Sequence, residues 1–166
     1  MSKETVLTAV RDLILGWAPV ASNLTQLTRG YAYPYDQAPR TFPEFPVLIV
    51  ERNRAKSAFS NANGSTPSGG VCREELLPIR VDVAWQVWDQ DKPNVNQTAE
   101  LAILAWEDEL HALFAANPKI NGAVVKLGEV GAPRRVETKV GLRFWFDQEL
   151  LVAAAFIDAL YEVTIS

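Results

Sequence analysis

The sequence predicts an α+β fold, with a mostly antiparallel, mixed sheet, two main helices packed on one face and a long flexible hairpin loop. Two patterns support this prediction. Apolar residues recur at helical spacing near the N-terminus and again over residues 99–113, whereas elsewhere they alternate with polar residues at the period of two that is typical of strands. Because 166 residues can bury one sizeable core, we interpret residues 1–166 as a single domain.

The first helix is predicted over residues 3–17, and Pro19 is expected to end it because proline cannot continue a helix. Residues 28–46 follow, with four prolines interleaved among tyrosines and phenylalanines, a density that excludes a continuous helix or a central strand. We expect these aromatic side chains to fold back as a lid on the sheet edge. A polyproline ligand is the less favoured interpretation, since the segment has no clear groove-binding motif.

Residues 46–52 and 75–88 are predicted to form a long β-hairpin. The first strand contains a continuous apolar run, Val47–Val50, which is typical of a strand covered on both faces. In the second strand an apolar set, Ile79, Val81, Val83, Trp85 and Val87, alternates with polar residues. The tip, residues 53–74, is rich in Gly, Ser and Asn and is interpreted as a flexible arm.

The second helix is predicted over residues 94–117. Asn94 with Gln97 fits a capping box, and Asn117-Pro118 is expected to end the helix because a residue before proline avoids helical dihedral angles. Strands are predicted near residues 124–130, 134–146 and 152–165, with a helix over 149–160 as the competing interpretation of the last. Three tryptophans lie on apolar faces and are expected in the core: Trp17, Trp85 and Trp106.

Composition argues against several classes of function. A net charge of −4 argues against gripping a nucleic-acid backbone, which needs a basic face. The single Cys72 and single His111 exclude a disulfide framework and a His-rich metal site, and they make a weak catalytic pair. The calcium-like spacing of Asp89, Asp91 and Glu100 lacks the glycine that such a loop requires. We therefore expect no enzymatic activity, no cofactor and no metal site, and, without a targeting or membrane-spanning segment, a cytosolic location.

Seven residues are candidate contacts with other chains. Trp88 lies on the strand face opposite Trp85, and the pair Arg134-Arg135 is interpreted as solvated or facing another subunit because the net charge is negative. The others open the arm or lie in it: Arg52, Arg54, Lys56 and Phe59.

Three features of the second half are found together. A strand ending in Trp85-Gln-Val-Trp88-Asp89 leads into an acidic amphipathic helix, the helix exit is Asn117-Pro118-x-Ile120-x-Gly122, and Phe144-x-Phe146-Asp147 precedes the final strand. Residues 46–166 thereby resemble the tail terminator and tail-completion proteins of tailed phages, the group related to the lambda minor tail protein that caps the tail tube. Residues 28–46 have no counterpart in the pattern of that family.

The resemblance implies a small mixed sheet with helices on one side and a structural role. The implied assembly is a homohexameric ring that ends tail-tube polymerisation and joins the tail to the head connector, with residues 53–74 as the ring-forming or docking arm. Its implied partners are further copies of the chain, the tail-tube protein and the connector proteins, with no membrane. DNA would pass through the lumen without specific binding. The implied location is the host cytoplasm during assembly and then the neck or tail of the virion.

Two other interpretations remain open. One is a head-closure or adaptor protein of the same neck. The other, from a different class, is a small-molecule-binding or regulatory α+β domain, which would need a pocket lined by the aromatic residues between Tyr31 and Phe45.

Overall fold

A computed structural model of the chain describes residues 2–21, 26–54, 60–65, 71–86, 93–124, 126–127 and 137–165. Two helices and seven strands are found in these residues, and the predicted α+β class is confirmed. In chain order they are α1 (Lys3–Ala21), β1 (Gly30–Ala32), β2 (Val47–Arg52), β3 (Ser60–Ser65), β4 (Val71–Gln86), α2 (Pro93–Ala116), β5 (Lys126–Leu127), β6 (Glu137–Trp145) and β7 (Gln148–Ile165).

The strands form one mostly antiparallel sheet in the order β1-β2-β4-β7-β5. Its centre is the pair β4–β7, which is in register from Val71 opposite Ile165 to Gln86 opposite Leu150. β3 pairs with β4 beyond the end of β2, and β6 pairs with β7 on the same side as β5. β1 and β2 are parallel, so the sheet is mixed as predicted.

One face of the sheet carries both helices, as predicted. The predicted core tryptophans lie there: Trp106 is fully buried, Trp85 is buried, and Trp17 packs on Trp106 with ring centroids 6.0 Å apart. Alternate strand residues complete this core, among them Leu48, Val50, Ile79, Val81, Val83, Ala155 and Ile157. Apolar residues at period two in the strands and at helical spacing in the helices therefore meet in one layer.

The segment 28–46 covers the other face of the sheet, which corrects the prediction of a lid on the edge. Phe42 is buried in a second core with Ile49, Trp145 and Val152. The Trp145 indole N–H donates a hydrogen bond of 2.8 Å to the Pro39 carbonyl. β2 is apolar on both faces, so its second face needs this cover. The segment also supplies β1, a short edge strand that the prolines permit.

Both helices differ from prediction at one end. α1 continues through Pro19 to Ala21, because a proline in a last turn removes a single backbone hydrogen bond. α2 begins at Pro93, so Asn94 lies inside the helix and is not its N-cap; proline is favoured in the first helical position because it has no N–H to satisfy.

The predicted end of α2 is confirmed. The Asn117 backbone N–H and its side-chain amide both donate to the Leu113 carbonyl, at 3.1 and 3.0 Å. Ile120, Asn121 and Gly122 then have φ values of 46°, 54° and 86°, and the Ile120 side chain is fully buried. A bulky residue rarely adopts this left-handed conformation, and burial of its side chain offsets the strain.

The predicted flexible arm contains regular structure. Within 53–74, residues 60–65 form β3 and β4 begins at Val71, because backbone pairing with β4 overrides the weak strand preference of Gly, Ser and Asn.

The last strand is confirmed and begins earlier, at Gln148, which excludes the helix considered for 149–160. Of the strands predicted over 124–130 and 134–146, the described parts are β5 and β6, while residues 128–136 lie outside the described residues. In the described part of the chain, no helix combines the length and apolar character that crossing a bilayer requires.

Candidate functional site

The outer edge of β6 is open in the described part of the chain, where β6 pairs with β7 alone. Trp145 faces Gln148 across a two-residue turn. Residues that flank such a turn form a hydrogen-bonded pair, and the pattern then alternates along the strand. The N–H and C=O groups of Phe144, Leu142 and Val140 therefore point away from β7.

The same three residues expose apolar side chains. Val140, Leu142 and Phe144 are 50%, 62% and 72% exposed, and Phe146 in the turn is 49% exposed. We call these four residues the β6 edge; all four expose apolar side chains, and the outward backbone groups of the three strand residues have no partner in the described part of the chain. Natural edge strands are usually protected by charges, prolines or a covering segment, and an unprotected edge can pair with another chain.

The three strand residues lie on the helix side of the sheet. Val140 pairs with Ala153, which belongs to the core beneath the helices, and Leu142 pairs with Leu151. The sheet therefore extends beyond the cover that α1 and α2 provide, and this extension is the uncovered surface.

Phe146 sits at the tip of the same surface with a positive φ of 51°. Its ring meets Trp145 edge-on at 5.3 Å between centroids, and the Arg40 guanidinium lies 5.3 Å from the ring centroid. The ring is thereby held on the outside of the hairpin. A two-residue hairpin turn requires a positive φ, so the turn accounts for this conformation, and the exposed aromatic ring is the feature that suits a contact with another chain.

A buried ion-pair network fixes β6 on the other face of the sheet. Arg143 donates to Asp82, which is fully buried, and its second nitrogen lies 2.6 Å from the Glu51 carboxylate. Arg80 donates to both Asp82 oxygens at 2.9 and 3.1 Å. The network joins β2, β4 and β6, so the edge strand is anchored by more than its pairing with β7.

At the opposite edge of the sheet, Asp36 occupies the outward backbone groups of one residue, Ala32. In β1, the Ala32 N–H donates to the Asp36 carboxylate at 2.6 Å, and the Asp36 N–H donates to the Ala32 carbonyl at 2.8 Å. Arg11 of α1 holds the same carboxylate. Burial raises the pKa of Asp36, but the bonds from Ala32 and Arg11 outweigh it, and the pKa lies below its ordinary value.

A cavity of about 320 Å³ lies where α1 begins and β2 ends. Lys3, Arg52 and Arg54 line it, and Leu7 and Leu77 are its buried apolar residues. Tyr33, Pro34, Tyr35 and Glu51 complete the lining.

The structure brings two of the seven predicted contact residues together, because Arg52 and Arg54 are both exposed at this cavity. Five lie outside the described residues: Lys56, Phe59, Trp88, Arg134 and Arg135. Sequence reasoning missed the β6 edge. The available signal was the alternation of Val140, Leu142 and Phe144 with Gly141 and Arg143, which places three large apolar residues on one strand face.

Among the described residues, no group of three or more His, Cys, Asp or Glu side chains is arranged to hold a metal ion. In comparisons with known proteins, the chain matches no protein-family profile and no curated protein sequence.

Proposed function

We propose that this chain is a structural assembly protein of the tailed-phage neck, similar to the tail terminators. In this proposal it forms a hexameric ring that ends tail-tube polymerisation and joins the tail to the head connector. The observation that carries the proposal is the β6 edge, because a strand that is open among the described residues and exposes apolar side chains has the features of a surface that binds another chain.

The difference between the two sheet edges supports directional assembly. In β1 the outward groups of Ala32 are bonded to Asp36, whereas β6 is open in the described residues, so a copy presents different surfaces at its two sides. Closed rings are built from heterologous contacts, in which each copy uses two different surfaces. Pairing of β6 with β6 of a second copy would instead give a two-fold dimer.

One element of the fold is what the resemblance implies, the small mixed sheet with its helices on one side, whereas the helix exit and the hairpin tip are motifs that carry the resemblance. The helix exit at Asn117–Gly122 is a tight turn with Ile120 buried, and Phe144, Phe146 and Asp147 lie at the tip of the β6–β7 hairpin. The sheet is small and mixed, with its helices on one side. These features support the tail-side role, and they are equally compatible with a head-closure or adaptor protein.

The small-molecule alternative has less support. It needed a pocket lined by the aromatic residues of 28–46, but Tyr31 and Phe42 pack on each other at 5.8 Å, and Phe42 packs on Trp145 at 5.5 Å. These rings fill the second core. Tyr33 and Tyr35 of this segment line the cavity that Lys3, Arg52 and Arg54 also line.

The direct test is polymerisation of the tail-tube protein encoded in the same genome, followed by electron microscopy with and without the purified chain. A tail terminator shortens the tubes and appears as a ring at one tube end. The Leu142→Lys variant, which charges the β6 edge, should lose the cap. If the chain leaves tube length unchanged and binds the head connector, the head-closure assignment replaces the tail-side one; if it binds neither, the neck assignment is wrong.

A further inference from the structure

We propose that the cavity at the start of α1 binds an acidic peptide segment of a partner protein, with carboxylates on Arg52 and Arg54 and an apolar side chain against Pro34 and Tyr35. This inference does not depend on ring formation or on the β6 edge, because it concerns a different surface of the molecule.

The cavity concentrates positive charge in a chain whose net charge is −4. Lys3, Arg52 and Arg54 make no ion pair with any carboxylate in the described part of the chain, unlike Arg11, Arg29 and Arg143. Glu51 is the acid in the lining, and its carboxylate is occupied by Arg143 at 2.6 Å. The local field is therefore positive and not neutralised by the lining.

The start of α1 adds to this field. Lys3 is the first residue of a 19-residue helix, and the partial positive charge of a helix N-terminus extends over its first turn. Glu4 in the same turn is exposed and does not line the cavity. The N–H groups of Thr5 and Val6 are bonded to Ser2, so the terminus contributes its partial charge near the cavity and not free donors.

The shape of the cavity favours a peptide over a nucleic acid. Pro34 and Tyr35 in its lining are exposed, Tyr35 by 46%, so a ligand that fills the cavity meets apolar surface as well as cations. A volume of about 320 Å³ accommodates a few side chains and not a duplex. Three cations also fall short of the roughly six to ten phosphate contacts that salt-dependent nucleic-acid binding uses.

The chemistry of the two arginines fits carboxylates. A guanidinium binds a carboxylate through two parallel N–H···O bonds, and Arg52 and Arg54 are exposed enough to turn toward a ligand. Tyr33 and Tyr35 also line the cavity, and aromatic residues are enriched where proteins bind each other.

The test uses the full chain and a fluorescein-labelled peptide in which aspartates and glutamates alternate with leucine, followed by fluorescence anisotropy. The same peptide with amides in place of the acids and a labelled single-stranded oligonucleotide are the comparison probes. Arg54→Glu is the test variant. Lys119→Glu, which makes the same charge change at an exposed residue outside the cavity, is the matched control.

We expect the acidic peptide to bind the wild type, Arg54→Glu to weaken binding by at least about tenfold, and Lys119→Glu to change it by less than about twofold. Lys3→Glu should also weaken binding while leaving thermal stability unchanged or higher, since an acid is favourable at a helix N-terminus. A Lys3→Glu variant that binds weakly but keeps its thermal stability would show that the lost charge, and not misfolding, weakens binding. Equal binding of the acidic and amide peptides, equal effects of Arg54→Glu and Lys119→Glu, or tighter binding of the oligonucleotide would each overturn the proposal.

Discussion

Gly30 in β1 shows how one residue sets the distance between a helix and the sheet. A Cβ atom added there would lie 3.1 Å from Leu15 Cδ1 and 3.1 Å from both Cβ and Cδ2 of Leu48. α1 can therefore lie directly on β1 and β2 because this position has no side chain. Gly141 in β6 is the contrasting case, since a Cβ there would meet nothing within 4 Å.

Gly30→Ala is expected to lower the free energy of unfolding by about 1–2 kcal/mol, because Leu48 Cβ belongs to the strand and cannot move away independently. Gly141→Ala should raise it by up to about 1 kcal/mol, because the unfolded chain loses freedom and the folded chain meets no obstacle. Urea denaturation of both variants checks the pair. If both substitutions changed the free energy of unfolding equally, the packing of Leu15 and Leu48 around Gly30 would have to be looser than these distances indicate.

Asp36 couples stability to pH. Its folded-state pKa lies below the ordinary value of 3.8, because the bonds from Ala32 and Arg11 favour the charged form more than burial disfavours it. A depressed carboxyl pKa stabilises the fold at pH values above the ordinary pKa, and this stabilisation is lost as the pH falls through the folded-state value.

Asp36→Asn keeps the shape and an acceptor for the Ala32 N–H but removes the charge that Arg11 binds. We expect the variant to be less stable than the wild type by about 1 kcal/mol at neutral pH. The difference should shrink as the pH is lowered through 3.8 and below, where the wild-type carboxyl also becomes neutral. Denaturation curves over this range measure it. A difference that stayed constant with pH would show that the charge of Asp36 contributes nothing to stability.

At the scale of elements, β6 is an edge strand anchored by Arg143. Its guanidinium bridges Asp82 and Glu51, whose side chains are 0% and 9% exposed, while the arginine side chain itself is 19% exposed. Arg29 and Glu44 also form an ion pair, but their side chains are 48% and 65% exposed. The two arginines therefore offer a matched comparison of a buried and an exposed ion pair.

Arg143→Met is expected to cost about 3 kcal/mol of folding stability, because it leaves the Glu51 carboxylate buried without its cation. Arg29→Met should cost less than about 1 kcal/mol, since water screens the exposed pair. Chemical denaturation gives both values, and amide hydrogen exchange should show faster exchange across β6 in Arg143→Met alone. If the two substitutions cost the same, the network does not hold β6.

The sequence predicts those helices and strands in which the spacing of apolar residues corresponds to the side chains that are buried. β4 and α2 follow from their apolar repeats, and β7 follows from its alternation despite the helix-favouring residues near its start. β3 could not be predicted, because its Gly, Ser and Asn residues have weak strand preference and its pairing with β4 determines its structure.

Pro78 illustrates a second limit, as it lies inside the central strand β4. Its carbonyl accepts a hydrogen bond of 2.9 Å from the N–H of Asn53, the residue after the last residue of β2. The backbone N and C=O of Pro78 therefore point toward β2 and away from β7. The N–H that proline lacks therefore falls outside the ladder with β7. Of the cavity residues, the sequence analysis names Arg52 and Arg54 because they open the predicted arm, whereas the cavity between them and α1 depends on packing that no local pattern encodes.

At the scale of the whole molecule, the two faces and the two edges of the sheet differ in how they are covered. The helices cover one face, the segment 28–46 covers the other, and Asp36 occupies the outward groups of Ala32 at the β1 edge. Among the described parts of the sheet, the β6 edge combines an open backbone with large exposed apolar residues. The proposed assembly follows from this asymmetry.

The central claim is that the chain associates with itself through the β6 edge, and its most direct test is solution mass by light scattering over a concentration series. Leu142→Lys charges this edge, and Leu101→Lys is the matched control because Leu101 on α2 is 61% exposed and Leu142 is 62% exposed. We expect the wild type and Leu101→Lys to reach six times the 18.4 kDa of one chain, while Leu142→Lys remains a single chain. A wild type that stays at 18.4 kDa at every concentration, or a Leu142→Lys variant that assembles as the wild type does, would contradict the claim.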